Sequence, residues 1–371
     1  MTTADAVIVG AGPIGLEVHA ALKAAGATVR HLEAGAIGHT MTWWAPRTTF
    51  FSSPDRIAIC GIPLAVEGQG KATGDDYVRY LVNVTRQLDL DVETFRAVTG
   101  IRKIGDDFEV DVARSAAGVG GHEQMPRSRD KLQSGHEANP VDQVHAKNVI
   151  LTTGNMHAPR RLGVEGETLP HVSHYLGDPL RYFGRRVVIV GGKNSAVEAA
   201  IRLHRAGAHV TIAYRREAFD AERIKYWLLP ELEWLIEKGR VGFEPSCTVE
   251  RIEDDRIVLT RAGETIEREA DFVLLLTGYV QDQSLFDQLG IERIDPDSTN
   301  RPAYDHATMQ TSVPGVYVAG TACGGSQQRA RVFIENSHLH VDRICRAITG
   351  KGAPWSIDPE MQKLTAKHEE R

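Results

Sequence analysis

A strand, a glycine turn, a helix and a second strand follow one another without interruption at two places in this chain, and no other feature restricts its fold as strongly. The first copy reads as a short apolar strand at 5–10, a turn at 10–15, an alanine-rich amphipathic helix at 16–25 and a strand at 28–33. The second repeats that plan at 186–190, 191–196, 197–206 and 208–214. Each copy is a βαβ opening, which founds a parallel sheet with helices packed on its faces. The expected fold class is therefore α/β, with one such sheet begun near the start of the chain and another near its middle. With 371 residues, 42% hydrophobic and 25% charged, the chain is long enough for two or three domains that each bury a core.

The turns say what the two folds are for. Gly10, Gly12 and Gly15 have the G-x-G-x-x-G spacing around Pro13 and Ile14. In a dinucleotide site these glycines serve a tight turn, close approach of backbone to pyrophosphate, and close contact of helix and strand. The helix N-terminus adds amide N–H groups and partial positive charge for the phosphates. Glu33 stands 23 residues after Gly10, at the end of the second strand. A carboxylate there accepts hydrogen bonds from ribose hydroxyls and repels a 2′-phosphate. The second turn is Gly191-Gly192-Lys193-Asn194-Ser195-Ala196, with Lys193 in the place of the middle glycine. Here the residue 23 positions on is Tyr214, followed by Arg215 and Arg216. No carboxylate occupies the ribose position, and guanidinium forks match a phosphate bidentately. An acid-ended first site and a base-ended second site are expected to hold FAD and NADPH respectively, so the pattern predicts two Rossmann-like domains in a flavoprotein that takes hydride from NADPH.

Elsewhere the periodicity predicts a helix at 77–88, strand pieces at 91–94, 108–113 and 148–153, and a long surface loop at 114–143 that is rich in Gly, Ser, Pro and charge. The stretch 220–238 reads as helical, with Pro230 either kinking it or opening its second half. Strands are expected at 248–253, 256–260, 271–276 and 316–319, and a final helix at 330–349.

Composition removes several function classes. Against 49 acidic residues the 43 Lys and Arg leave a formal charge of −6, which offers no footprint for nucleic acid or an anionic membrane. No apolar run reaches the eighteen or so residues of a membrane span, and 6–9 is too short for a signal-peptide core, so a cytoplasmic location is expected. The four cysteines, Cys60, Cys247, Cys323 and Cys345, form no C-x-x-C pair and no metal-ligand spacing.

Taken together, these residues resemble the two-dinucleotide-binding-domain flavoproteins related to low-molecular-weight thioredoxin reductase, over nearly the whole chain. The resemblance rests on Gly10-Ala11-Gly12-Pro13, Thr152-Thr153-Gly154, Thr277-Gly278-Tyr279, Tyr214-Arg215-Arg216 and the segment from Gly315 to Gly320. Within that family the chain is most similar to the bacillithiol-disulfide-reductase type. The carriers are Thr49-Phe50-Phe51-Ser52-Ser53, Gly191-Gly192-Lys193-Asn194-Ser195, Trp227-Leu228-Leu229-Pro230-Glu231 and Phe333-Ile334-Glu335-Asn336. The resemblance implies a split FAD-binding domain (1–157 and 281–371) with an NADPH-binding domain (158–280) inserted in it, and a homodimer. It places Thr49, Phe50, Thr153, Gly154, Gly320 and Thr321 beside FAD, and Gly278 and Tyr279 beside NADPH. Its implied activity is electron transfer to a small, bacillithiol-like disulfide. Three departures stand out: His174-Tyr175-Leu176-Gly177 occupies the place of the C-A-T-C dithiol, Ile14 that of a cysteine after Gly-Pro, and Thr321 that of the ribityl aspartate.

With the dithiol gone, the electron acceptor becomes the open question. Cys323 is the candidate thiol, either reactive beside the flavin and ahead of a helix N-terminus that lowers its pKa, or a small residue filling a tight turn. Cys60 and Cys345 read as packing residues, and Cys247 has no suggestive neighbour. His338 and His340 are two apart on a helix, point in different directions and cannot share a metal. Trp43 and Trp44 either cover the flavin or cap the core, and His174 is either a proton donor or a structural histidine. The rival activities are ferredoxin/flavodoxin-NADP-reductase-like or diaphorase electron transfer and a non-catalytic FAD/NADPH redox sensor. A flavin monooxygenase is less favoured, since 166–175 only partly echoes that group's His-containing linker.

Overall fold

The computed structural model describes residues 3–115, 142–295, 298–326, 332–359 and 363. Along the chain these form β1 (Ala6–Val9), α1 (Pro13–Ala25), β2 (Val29–Leu32), α2 (Gly74–Gln87), β3 (Arg96–Ile104), β4 (Asp107–Arg114), β5 (Asp142–Ala146) and β6 (Val149–Leu151). There follow β7 (Arg186–Val190), α3 (Asn194–Arg205), β8 (His209–Ala213), α4 (Leu229–Glu237), β9 (Gly242–Glu244), β10 (Thr248–Ile252), β11 (Arg256–Arg261), β12 (Glu264–Glu269) and β13 (Phe272–Leu275). The main elements end with β14 (Val316–Val318) and α5 (His338–Thr349). The chain divides into two compact units. One comprises residues up to Trp43, Arg47–Ala158 and the chain from Val280 onward; the other comprises Trp44–Pro46 and Pro159–Tyr279.

The first unit is built on a parallel sheet in the order β14-β6-β1-β2. All four residues of β1 are buried, as expected of a strand covered on both faces. Pro13 opens α1, where its missing N–H costs nothing, and Gly26 closes it in the left-handed conformation at φ +93°. Thr73 and Asp76 form a reciprocal capping box that starts α2 three residues earlier than the periodicity suggested. A three-stranded antiparallel sheet, β3-β4-β5, completes the unit. Ile8, Leu22, Phe108, Val110, Ile150, Phe286 and Ile344 lie in one buried cluster.

The second unit repeats the plan. Its parallel sheet runs β9-β8-β7-β13 with the short strand Val172–Ser173 at the edge, and its antiparallel sheet is β10-β11-β12. Val197 and Ile201 of α3 and Leu232 of α4 share a buried cluster with Ile189, Ile212 and Leu274 of the sheet.

Several expectations are corrected. Residues 91–94 form no strand, only a single bridge of Glu93 to Leu32, because Phe95 at φ +56° interrupts the extended backbone before β3 begins. The hairpins closed by Gly105-Asp106 and Ala262-Gly263 escaped the sequence reading. The second has both loop residues at positive φ, +50° and +87°, as a two-residue loop matched to strand twist requires. The helix expected at 220–238 is a 3₁₀ turn, Ala221–Arg223, followed by α4, with Pro230 in its first turn where a residue without an N–H is tolerated. The last helix starts at His338 rather than 330. Residues 332–337 form turns in which the Phe333 N–H bonds Asn336 Oδ1 at 2.7 Å, while 330 and 331 lie outside the described residues. Most of the loop expected at 114–143 also lies outside them.

Candidate functional site

Each glycine of the first turn has a separate steric reason. A Cβ on Gly10, at φ +109°, would lie 2.7 Å from the Thr152 carbonyl oxygen, and one on Gly15 would lie 2.0 Å from the Gly10 oxygen. Gly12 differs, since a Cβ there meets nothing within 4 Å, so its backbone borders open space. Glu33 reaches back across the turn, with Oε2 accepting from the Ala11 N–H at 2.7 Å and Oε1 from the Gly35 N–H at 2.6 Å. Burial raises its pKa against the lowering effect of those two bonds.

Beneath the turn lies a pair that the sequence did not announce. His31, fully buried, places Nε2 3.0 Å from the Gly10 oxygen and Nδ1 3.2 Å from His19 Nδ1. A carbonyl only accepts, so His31 Nε2 carries the hydrogen and His19 donates to the bare Nδ1 of His31; both rings are neutral. Burial lowers His31 to about 3 and His19 to about 4.

The structure brings the remaining first-unit candidates together in part. The Thr152 hydroxyl donates to the Gly10 oxygen at 2.7 Å. A Cβ on Gly154 would lie 3.7 Å from Thr321 Oγ1, and one on Gly320 would lie 3.3 Å from Ile14 Cβ. Buried Gln281, absent from the sequence reading, ties two of these segments by donating from Nε2 to the Gly154 oxygen at 2.9 Å and the Ala322 oxygen at 3.0 Å. The Thr153 hydroxyl oxygen is buried with no hydrogen-bond partner. Thr49 bridges to Thr73, and Phe50 lies against the Tyr77 ring at 4.8 Å.

The second turn has the same frame with other contents. A Cβ on Gly191, at φ +147°, would lie 2.5 Å from the Leu276 oxygen, the counterpart of Gly10 over Thr152. Gly192 is filled from above by the Tyr214 ring, 2.5 Å from its would-be Cβ, and that ring stacks on Phe219 at 5.7 Å. Lys193 is the N-cap of α3. Burial and then the charges of Arg223, Arg215, Arg160 and Arg216 lower its pKa. Arg160 is fixed through its backbone, donating its N–H to the Gly278 oxygen at 2.8 Å and accepting from Thr277 Oγ1 at 2.6 Å. Arg215, Arg216, Ser195 and Asn194 are exposed, and Asn194 Oδ1 accepts the Lys225 N–H at 2.6 Å. Tyr279 faces the Tyr175 ring at 6.1 Å. One correction concerns charge: the ribose position holds no acid, but Asp220 Oδ2 lies 2.8 Å from Arg223 Nε and 3.4 Å from Arg216 Nη1.

All four cysteines are buried and none is in a disulfide, and burial raises the pKa of Cys60, Cys247 and Cys345. Cys323, only 2% exposed, sits in the 3₁₀ turn Gly320–Gly324 with its sulfur 3.9 Å from His340 Nδ1. The next helix among the described residues, α5, begins at His338, and His340 lies in its first turn. His340 Nδ1 accepts the Gly320 N–H at 3.2 Å and burial lowers its pKa to about 3, so it is no base for a thiol near neutrality. His338 points elsewhere. Its Nδ1 lies 2.8 Å from Glu17 Oε2 and its Nε2 3.1 Å from the Arg56 oxygen, two acceptors that call for the doubly protonated ring. His174 Nε2 lies 3.4 Å from Glu167 Oε1, and Trp43 is buried in the first unit. Among the described residues no three His, Cys, Asp or Glu side chains could hold a metal ion, and no helix is long and apolar enough to cross a membrane.

Comparison with known proteins agrees with this frame. The bacilliredoxin reductase of Bacillus subtilis (strain 168) is 31% identical over 350 residues, 94% of this chain and 98% of the relative. The solved bacillithiol disulfide reductase from Bacillus cereus superposes with a TM-score of 0.83 at 29% identity, covering 94% of this chain and 99% of that one. A ferredoxin–NADP reductase of Ignicoccus hospitalis is 26% identical over 85% of this chain and 89% of its own length. The model of the pyridine nucleotide-disulphide oxidoreductases matches residues 7–117 and 138–320, and the chain belongs to that family.

Proposed function

We propose that this protein is an NADPH-dependent FAD oxidoreductase that passes electrons to a small disulfide of the bacillithiol class. One observation carries the reading: two turns built on the same steric frame end in opposite charge, Glu33 in the first and the Arg215–Arg216 pair in the second. The name of the solved relative from Bacillus cereus, a bacillithiol disulfide reductase, supplies the substrate class. FAD belongs to the split domain, 1–157 with 281–371, and NADPH to 158–280. Two features of the first unit fit FAD: the open space at Gly12, which a backbone must offer to a pyrophosphate, and the partnerless Thr153 hydroxyl. Thr49, Phe50, Gly154, Gly320 and Thr321 border that cofactor. When bound, NADPH supplies the hydride and FAD the ring that receives it. The protein binds and orients. Glu33 holds the first turn and takes ribose hydroxyls with its remaining lone pairs, while Lys193, Ser195, Arg215 and Arg216 meet the phosphates of NADPH beside Gly278 and Tyr279.

Purified protein is expected to be yellow, to be bleached by anaerobic NADPH, and to be reoxidised by a bacillithiol-type disulfide; a protein that keeps its colour when mixed with NADPH is a sensor and not a reductase. The burial of all four cysteines and the presence of Ile14 favour a second reading, transfer to a ferredoxin-like carrier, which a relative of that name accompanies. Reoxidation by ferredoxin or quinone with none by disulfide selects it. Cys323 remains the candidate thiol of the first reading, and full disulfide turnover by Cys323→Ser assigns it to packing. Gly15→Ala drives a methyl into the Gly10 carbonyl and is expected to cost about 1–3 kcal/mol and to strip most of the flavin, read as the visible-to-ultraviolet absorbance ratio. A homodimer, implied by the family resemblance, is checked by light scattering.

A further inference from the structure

The loop that carries Arg215 and Arg216 also carries its own anion. Oδ2 of Asp220 accepts from Arg223 Nε at 2.8 Å and from Arg216 Nη1 at 3.4 Å, while Oδ1 caps the Glu222 N–H at 3.2 Å. The stacked rings of Tyr214, Phe219 and Phe243 fix the strand end and the loop to each other, with Phe219 and Phe243 4.7 Å apart. The carboxylate is thus held at the arginines by both its backbone and its own bonds. A single carboxylate oxygen between two guanidinium groups has the charge and hydrogen-bond demand of one phosphate oxygen. We propose that Asp220 is an internal counter-ion competing with the 2′-phosphate of the dinucleotide for Arg216 and Arg223, and so sets how strongly the site prefers the phosphorylated coenzyme. Arg223 is by the same geometry a third guanidinium of that subsite. The inference rests on the assignment of NADPH to this unit.

Competition requires that deleting the anion tighten phosphate binding. Asp220→Asn keeps an oxygen for the Glu222 N–H and puts an uncharged NH2, which cannot accept, where Oδ2 faces the arginines. Binding of adenosine 2′,5′-bisphosphate and of adenosine 5′-monophosphate to the flavin-loaded protein is then measured by calorimetry. The expected result for Asp220→Asn is about fivefold or greater tightening for the bisphosphate, worth the upper range of one exposed ion pair, and less than about twofold change for the monophosphate. The KM for NADPH falls with kcat unchanged, which a change in general stability would not produce. Arg223→Ala is expected to weaken the bisphosphate alone. If Asp220→Asn weakens the bisphosphate as Arg223→Ala does, the carboxylate positions the arginine and competition is overturned. No change in Asp220→Asn overturns it as well. Should the unmodified protein bind the two nucleotides equally, the assignment of this unit to NADPH fails, and the inference fails with it.

Discussion

Replacing Arg215 and Arg216 together by alanine is expected to raise the KM for NADPH by roughly 100-fold, since two charge-assisted contacts of about 1.5 kcal/mol each are lost. Turnover and the KM for NADH should both stay within about twofold, because neither side chain helps to build the turn. Both are exposed, and the turn itself is held by Gly191 against the Leu276 carbonyl and by Tyr214 over Gly192. Steady-state kinetics with both coenzymes, at low and high salt, make the measurement. The NADPH term should weaken with salt in the unmodified protein and weaken less steeply in the variant, where Lys193 and Arg223 remain. An unchanged ratio of the two KM values would sink the assignment of the phosphate to this pair.

Acid is expected to destabilise the protein at a pH above ordinary carboxylate titration. His19, His31 and His340 are buried and neutral, with pKa values lowered by burial to about 4, 3 and 3. A group whose folded pKa lies below its unfolded value of about 6.5 contributes in full above that value. The contribution is lost progressively as pH falls toward the folded pKa, because the unfolded chain takes up protons that the folded one refuses. Between pH 6.5 and 5 each ring then costs about 2 kcal/mol, an upper bound near 6 kcal/mol for three, or on the order of 10 °C in Tm. His39 and His174 shift in the same direction. The Glu17 carboxylate raises His338 against its burial, so His338 acts in the opposite window: its contribution is complete below about 6.5 and fades as pH climbs through its raised value. Thermal melts from pH 8 to 5 test this, and a Tm constant to within a few degrees between 7 and 5 would show that the three rings are not held neutral.

Much of this was legible beforehand because local sequence carries it. A G-x-G-x-x-G turn between a strand and a helix states its own geometry, and the spacing of 23 residues located Glu33 and Tyr214 without any tertiary knowledge. Strands such as β12, with the sequence ETIERE, were missed because both faces carry charge and only the Ala262-Gly263 turn marks the hairpin. Strand residues 91–94 were misread for the opposite reason: the alternation is present but the pairing partner is not, since Phe95 turns the chain away after one bridge.

Sequence alone determined the repeated βαβ plan, the glycines and the contrast of charge between the two second strands, because all of these act within some thirty residues of chain. Tertiary structure decided what the isolated side chains do. It buried Cys323 beside a histidine that cannot take its proton, set His31 under the Gly10 carbonyl, gave Gln281 two backbone segments to join, and laid Asp220 across two arginines. Burial and the partners available at hydrogen-bond distance are properties of the folded chain. A residue's identity fixes what it can donate or accept, and only its neighbours fix whether it does.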